Sequence, residues 1–257
     1  MKTNVRGLPI LKNADQIAKM RRAGAIVATI LERLREAARP GVTTQDLDRI
    51  AAEGIRQAGA RSSFLGYRGY PAVLCVSVND EVVHGIPSPK RVLKDGDIVG
   101  LDFGVIVEGF HADSAITVPV GTISEEAERL IRVTREALEK GIAQARPGNR
   151  LSDIGGAVQD HAEAAGYSVV REFVGHGIGQ ALHEEPQVPN YRIEGAPGRR
   201  LTEGLVLAIE PMVNAGGPEV RILEDGWTAV TRDGSLSAHF EHTLAVTADG
   251  PVVLTRP

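Results

Sequence analysis

Apolar residues near the start of the chain recur with a helical period: Ile17, Met20, Ala23, Ile26, Val27, Ile30, Leu31 and Leu34 share one face of a 3.6-residue repeat. Asn13-Ala-Asp-Gln16 ahead of them has the form of a capping box, and Pro40-Gly41 behind them stops the helix, which the pattern carries to about Arg39. A second helix is predicted from about Thr43 to Ala58, closed by Gly59. The pattern then becomes strand-like over Ala72–Val78 and again from Asp97 to Val118. There Ile98-Val99-Gly100-Leu101 and Ile116-Thr117-Val118 flank Glu108-Gly109, a plausible two-residue hairpin turn. Helices return over Ser124–Ala145 and Leu151–Ala165, interrupted at Pro147-Gly148 and closed by Gly166. From Tyr167 onward the chain is rich in strand formers and glycine, with no linker-like or low-complexity stretch.

Two helices followed by strands therefore occur twice, and the residues themselves repeat. At an offset of 107, Leu31-Glu32 matches Leu138-Glu139, Ala38-Arg-Pro-Gly41 matches Ala145-Arg-Pro-Gly148, Asp46-Leu47 matches Asp153-Ile154, and Ala58-Gly59 matches Ala165-Gly166. At an offset of 108, Leu93–Asp102 lies over Leu201–Glu210, so Glu210 takes the place of Asp102. HADSAITV from His111 lies over HFEHTLAV from His239, so Glu241 takes the place of Asp113. The period is too long for a solenoid. It predicts one α+β catalytic domain over residues 1–257, built from two similar halves, about 13–120 and 121–250. The helices lie outside, and the strands meet in a central antiparallel sheet about a pseudo-twofold axis.

The hairpin carries the chemistry. Pairing Val107 with Phe110 sets Gly104 opposite Asp113 and makes Asp102 its diagonal neighbour on the same face, ~7–8 Å away. Such a pair at a strand end is ordinarily solvated. The repeat changes that reading, because two halves facing each other bring Asp102, Asp113, Glu210 and Glu241 together. Four buried acids are very costly unless neutralised. Cations totalling about +4 answer that need, which means two divalent metals ~3.5–4 Å apart.

Composition narrows the ligands and the partners. With 42% hydrophobic residues the 257-residue chain can build a large core. A net charge of -4 with both signs interspersed leaves no basic field for nucleic acid and no polybasic membrane patch. The N-terminal stretch MKTNVRGLPILKNADQ lacks an apolar leader core, and no apolar run approaches a spanning helix; the expected location is cytoplasmic. A single cysteine, Cys75, excludes an internal disulfide and a Cys-rich zinc site, so any metal is held by oxygen and imidazole. Of the seven histidines, His176 in Val174-Gly-His-Gly-Ile-Gly179 is best placed, since its glycines permit close backbone approach. Alone, it reads equally well as a turn histidine; the carboxylate set favours ligation. His84 in VVHGIP is its weaker counterpart.

Other motif readings fail. The GHGIG glycines lack the last glycine and the ribose-binding context of a dinucleotide loop. His183-Glu184 lacks the second histidine of a zincin helix, because position 187 is Gln. His239-Phe-Glu241 resembles the H-x-E of a zinc deaminase, which also needs a C-x-x-C that one cysteine cannot supply.

VVHGIP, GLDFG with HADSA at spacing 11, GHGIGQALHEEPQVPN, AIEPM and SLSAHFEHTLAVT together resemble the motifs of the type I methionine aminopeptidases, members of the pita-bread metallopeptidase family. The resemblance spans essentially the whole chain. It implies metal ligation by Asp102, Asp113, His176, Glu210 and Glu241, with Asp113 and Glu241 bridging two divalent ions. Mn(II), Fe(II) or Co(II) suit such a donor set, with Zn(II) a further candidate. The nucleophile would be a metal-bridged hydroxide, and Glu210 would carry its proton to the leaving amine. His84 and His183 are implied to contact substrate rather than metal. Phe64, Tyr67, Tyr70, Cys75 and Trp227 match positions that line the family's methionine pocket. Taken without the resemblance, these scattered aromatics read as ordinary packing. Phe64 stands where many members carry Cys, Leu182 where many carry Phe, and Val83 where many carry Cys. A backbone-built Na⁺ or K⁺ site is implied near Asn79, Val82 and Ser237.

The implied activity is removal of the initiator methionine from nascent proteins with a small second residue, by a monomer that can meet its substrates at the ribosome. The chain's own start, Met1-Lys2, should then keep its methionine. A prolidase or X-Pro aminopeptidase on this fold carries an additional N-terminal domain that 257 residues cannot hold. A non-catalytic scaffold on the fold loses ligands, whereas all five positions are filled here.

Overall fold

The computed structural model describes residues 8–256; Met1-Lys2 and the extreme ends of the expected domain lie outside them. Helix α1 (Ala14–Ala37) starts at a complete capping box. The Asn13 side chain accepts from the Gln16 N–H, and the Gln16 side chain accepts from the Asn13 N–H. The helix ends short of the expected Arg39 because Pro40 bars helical backbone in the residue before it; Ala38 makes the last turn's bond to Leu34 and then turns away, at ψ 87°. Helix α2 (Thr44–Gln57) opens on a second box between Thr43 and Asp46, and Gly59 ends it at φ +63°.

Strand β1 (Arg61–Ser62) and a single 3₁₀ turn, Tyr67–Gly69, lead to β2 (Cys75–Val78). The expected strand from Ala72 is therefore shorter. The N–H groups of Val73 and Leu74 both donate to Oδ1 of Asp48 on α2, at 3.0 Å each, and are not free to join a ladder. Next come β3 (Glu81–Val83), β4 (Ile98–Val107) and β5 (Phe110–Pro119), then α3 (Glu125–Gln144), capped by Ser124, and α4 (Leu151–Ala164). The remaining strands are short: β6 (Ser168–Val169), β7 (Gly175–Gly177), β8 (Glu184–Val188), β9 (Val206–Ile209), β10 (Met212–Asn214), β11 (Val220–Ile222), β12 (Ala229–Thr231), β13 (Ser237–His239), β14 (Glu241–Thr247) and β15 (Gly250–Val253).

A nine-stranded antiparallel sheet is the frame, in the order β1-β4-β5-β14-β9-β7-β8, with β2 also on β4 and β15 on β14. Two three-stranded sheets, β13-β10-β6 and β11-β12-β3, close one side. The predicted outer helices are observed. α1 lies on β4 and β5, burying Met20, Val27 and Leu34 against Leu101, Phe103 and Val105. α3 and α4 cover the other end, where Leu138, Ile142 and Ile154 pack with Leu207, Ile209 and Leu244. Truncating a fully buried leucine at such positions costs ~2–5 kcal/mol, so the helices hold the sheet's curvature firmly. Among the described residues no helix is long and apolar enough to cross a membrane.

Candidate metal centre

The hairpin register is the predicted one: Val107 pairs with Phe110, Gly104 with Asp113, and Asp102 with Ala115. Across the next strand Ala115 pairs with Glu241, so Asp102, Ala115 and Glu241 form a row on one face. Directly opposed residues of an antiparallel pair point to the same side, and so do residues two apart in one strand. Asp113 therefore joins the row. His242 pairs with Ile209, which puts Glu210, the residue after β9, beside Glu241. Ala208 pairs in turn with His176 on β7. The five candidate ligands thus come from five adjacent strands, β4, β5, β14, β9 and β7, and face one way.

Two local devices hold this row. The Thr243 hydroxyl accepts from the Asp113 N–H at 3.0 Å and donates to the Asp113 carbonyl at 2.7 Å, bridging β5 and β14 where direct pairing stops. Gly175 and Gly177, on either side of His176, let β8 and β9 close in: a Cβ at Gly175 would run into the Ala208 carbonyl, and one at Gly177 into the Glu185 carbonyl.

The electrostatics of the row are those of a cation site. Burial is the largest cause raising all four carboxylates above their ordinary range, followed by their mutual repulsion for Asp102, Glu210 and Glu241; Asp113 is pushed up to about 7. Oδ1 of Asp102, Oδ1 of Asp113 and Oε1 of Glu241 are buried and meet no donor among the described residues. One ligand atom each from Asp113, His176 and Glu241 lie within 4.8 Å of one another. His176 is already in the right tautomer. Its Nδ1 is 2.9 Å from the Gly177 carbonyl, which can only accept, so Nδ1 carries the proton and Nε2 offers its lone pair, 3.4 Å from Oε1 of Glu210. Burial pushes His176 down to about 3, so the ring is neutral. Unpaired carboxylate oxygens and a pre-set imidazole fit divalent cations.

The row forms one wall of a cavity of about 150 Å³, and every residue expected at the site lines it. Aromatic residues line much of the rest of it. The Tyr70 ring stands edge-on to Phe64 at 6.4 Å and to Trp227 at 5.0 Å, its hydroxyl shared between the Leu74 and Gly85 carbonyls. Cys75 pairs with Asp102 across β2 and β4, and burial keeps it a thiol. His84, at φ +63°, sets its ring edge-on to Phe173 at 5.3 Å and to Trp227 at 6.2 Å. His183 stacks on Tyr67, with 2.8 Å between its Nδ1 and the Tyr67 hydroxyl, and its ring centre is 4.1 Å from that of His176. Burial lowers both, His84 to about 4; His183 is lowered further by the Arg68 charge. Glu184, beside His183, is turned away into an ion pair with Lys12 at 2.5 Å, consistent with discarding the zincin reading.

Three residues at the site are given no role by the sequence, although His239 falls in the repeat and in the rejected deaminase reading. His239 has Nε2 3.9 Å from Oε2 of Glu210; its spacing to Glu241 was the available signal. Phe173 and Arg68 carried none beyond their neighbours. Near the expected monovalent-cation position, the Ser237 N–H donates to the Asn79 carbonyl at 2.9 Å, Asn79 sits at φ +61°, and Val82 lies on β3, against β13.

Comparison with known proteins agrees with this geometry. The model of the Peptidase_M24 family, metallopeptidase family M24, matches residues 18–248. A methionine aminopeptidase of Clostridium perfringens is 56% identical over 248 residues, covering 96% of this chain and 98% of that protein. Methionine aminopeptidase 1 of Bacillus subtilis is 53% identical over 249 residues, covering 96% and 99%. The crystal structure of a methionine aminopeptidase from Thermotoga maritima superposes with a TM-score of 0.95 at 45% identity, covering 97% of this chain and 100% of that one. A prolidase from Pyrococcus furiosus shares the fold at 21% identity, with a TM-score of 0.78, and this chain covers 66% of it.

Proposed function

The chain belongs to metallopeptidase family M24, and from that premise we propose that it is a metal-dependent aminopeptidase removing the initiator methionine from nascent proteins whose second residue is small. The observation that carries this reading is the meeting, in one cavity, of buried carboxylates whose oxygens lack donors with a wall of aromatic rings and a thiol.

Asp102, Asp113, His176, Glu210 and Glu241 would hold the divalent ions, their buried oxygens and the His176 Nε2 being the donors. Mn(II), Fe(II), Co(II) or Zn(II) would acidify the attacking water and polarise the scissile carbonyl. Glu210 takes the water's proton and passes it to the leaving amine, with the imidazoles of His176 and His239 beside its two oxygens. His84 and His183 are neutral at neutral pH, so they can hydrogen-bond the substrate without adding positive charge. The methionine side chain enters the chamber of Phe64, Tyr67, Tyr70, Cys75 and Trp227, where a thioether against ring edges is favourable. Phe64 and Leu182 line it as well. A Na⁺ or K⁺ ion near Asn79, Val82 and Ser237 would stiffen the junction of β3 and β13. The enzyme acts as a cytoplasmic monomer on nascent N-termini at the ribosome.

With the methionine side chain seated in the chamber, the second side chain would point at the walls around His84 and His183 and could not shift to relieve a clash. Kinetics on a Met-X-Gly-Gly series test this. Ala, Gly and Ser at X should be cleaved well, and Lys, Leu and Phe poorly. Equal kcat/KM for Ala and Lys would remove the gate and much of the case for initiator-methionine processing.

A further inference from the structure

A second cavity opens directly outside the first. It is a groove of about 630 Å³ that shares Arg68, His176 and His183 with the inner chamber and continues between Leu8 and Ile10 on one side and Gln180 on the other. Leu8 and Ile10 are 51% and 43% exposed. Their segment is held in place just beyond. The Lys12 ammonium, buried beneath the loop carrying His183, reaches Glu184 at 2.5 Å and the Ile10 carbonyl at 2.8 Å, and the Lys12 N–H donates to Gly204. The groove is thus built on the same loop as the catalytic wall, and His183 stands at the join.

Arg68 is the unusual residue at that join. It is exposed, lies at φ +50°, and holds its guanidinium 5.5 Å from the centre of the Tyr67 ring. Among the described residues it makes no hydrogen bond and no ion pair. The acids that face the groove are Glu184 and Glu185. The first is spent on Lys12, so among the described residues Arg68 and Glu185 are the charges along the groove that no ion pair engages.

We propose that Arg68 is a specificity-determining residue for the third residue of the substrate, selecting acidic side chains there as the chain leaves through the outer groove. The proposal rests on the aminopeptidase reading above. An extended peptide alternates its side chains and advances ~3.3 Å per residue. With the methionine side chain turned into the chamber beside Tyr67, the second side chain turns the other way. The third returns to the methionine's side, ~6.6 Å further out, where Arg68 follows Tyr67 on the rim. A carboxylate there meets an unpaired guanidinium, while a lysine meets like charge.

The test compares kcat/KM for Met-Ala-Glu-Gly and Met-Ala-Lys-Gly on the metal-loaded enzyme, with Met-Ala-Gly-Gly as reference. The wild type should favour Glu over Lys by about fivefold, the ratio given by an exposed ion pair of ~1 kcal/mol. The difference should lie in KM and shrink in ~1 M salt, where the Debye length is ~3 Å. Arg68→Asn, which tolerates the left-handed backbone, should lower the ratio about fivefold from the wild-type value, and Arg68→Glu should lower it further. Glu185 bears equally on all three enzymes, so it cancels in the change of ratio from one enzyme to the next. A ratio that stays at the wild-type value in both Arg68→Asn and Arg68→Glu overturns the assignment while leaving methionine removal intact if Met-Ala-Gly-Gly is still cleaved. Failure of the wild type to cleave any of the three overturns the aminopeptidase reading and this inference with it.

Discussion

The two carboxylate pairs reach the same face of the sheet by different routes. β4 and β5 pair along their whole length, joined by Glu108 at φ +50° and Gly109 at φ +81°, the positive-φ pair that a tight hairpin turn requires. Asp102 and Asp113 are therefore set by local register alone. β9 and β14 pair just as directly, from His242 with Ile209 to Ala245 with Val206, but residues 210–240 separate them in sequence. That excursion carries β10 to β13, Trp227 and His239. The first pair belongs to a rigid hairpin. The second frames an excursion that brings one aromatic ring, Trp227, and a second imidazole, His239, toward a cavity whose other aromatic residues, Phe64, Tyr67 and Tyr70, come from the first half.

The comparison breaks most sharply at Asp113 and Glu241, one buried acid from each half, which with His176 bring ligand atoms within 4.8 Å of one another. Asp113→Ala and Glu241→Ala should each reduce activity to background and lower bound metal in elemental analysis, since either leaves the remaining acids short of a partner. If Glu241→Ala kept full metal content while Asp113→Ala lost it, the halves would not contribute equivalently.

A smaller effect separates the repeat-matched pair Asp102 and Glu210. Glu210→Gln preserves shape but removes charge and basicity, and the rate should fall by ~10²–10⁴. A near-normal rate with metals retained would send the proton by another path.

The smallest of the three contrasts His84, from the first half, with His183, from the second. Replacing either with Ala should lower the rate by ~10²–10³, as for loss of one stabilising hydrogen bond, with metals largely in place. His176→Ala should lose both rate and metal. Emptying of the metal site by His183→Ala would show that the two histidines touching at 4.1 Å have exchanged roles.

Much of this was legible in the chain itself. The capping boxes at Asn13 and Thr43, the register of the hairpin and the correspondence of Asp102 with Glu210 all follow from spacings of a few residues or from one fixed offset. The strand expected from Ala72 was misjudged because the competing acceptor, Asp48, lies on another element. Composition cannot reveal a hydrogen bond that only folding brings within reach.

By itself, then, the sequence determined which way side chains face within each element, since periods of 2.0 and 3.6 residues are local properties of the backbone. It also determined that two halves carry matching acids. Only the tertiary structure decided which strands are neighbours: that Ala115 lies between Asp102 and Glu241, that Cys75 sits opposite Asp102, that His239 approaches Glu210, and that Arg68 meets no acid at the rim among the described residues. Those contacts join residues far apart in the chain. They are selected by how well the whole core packs, a quantity that no window of sequence contains.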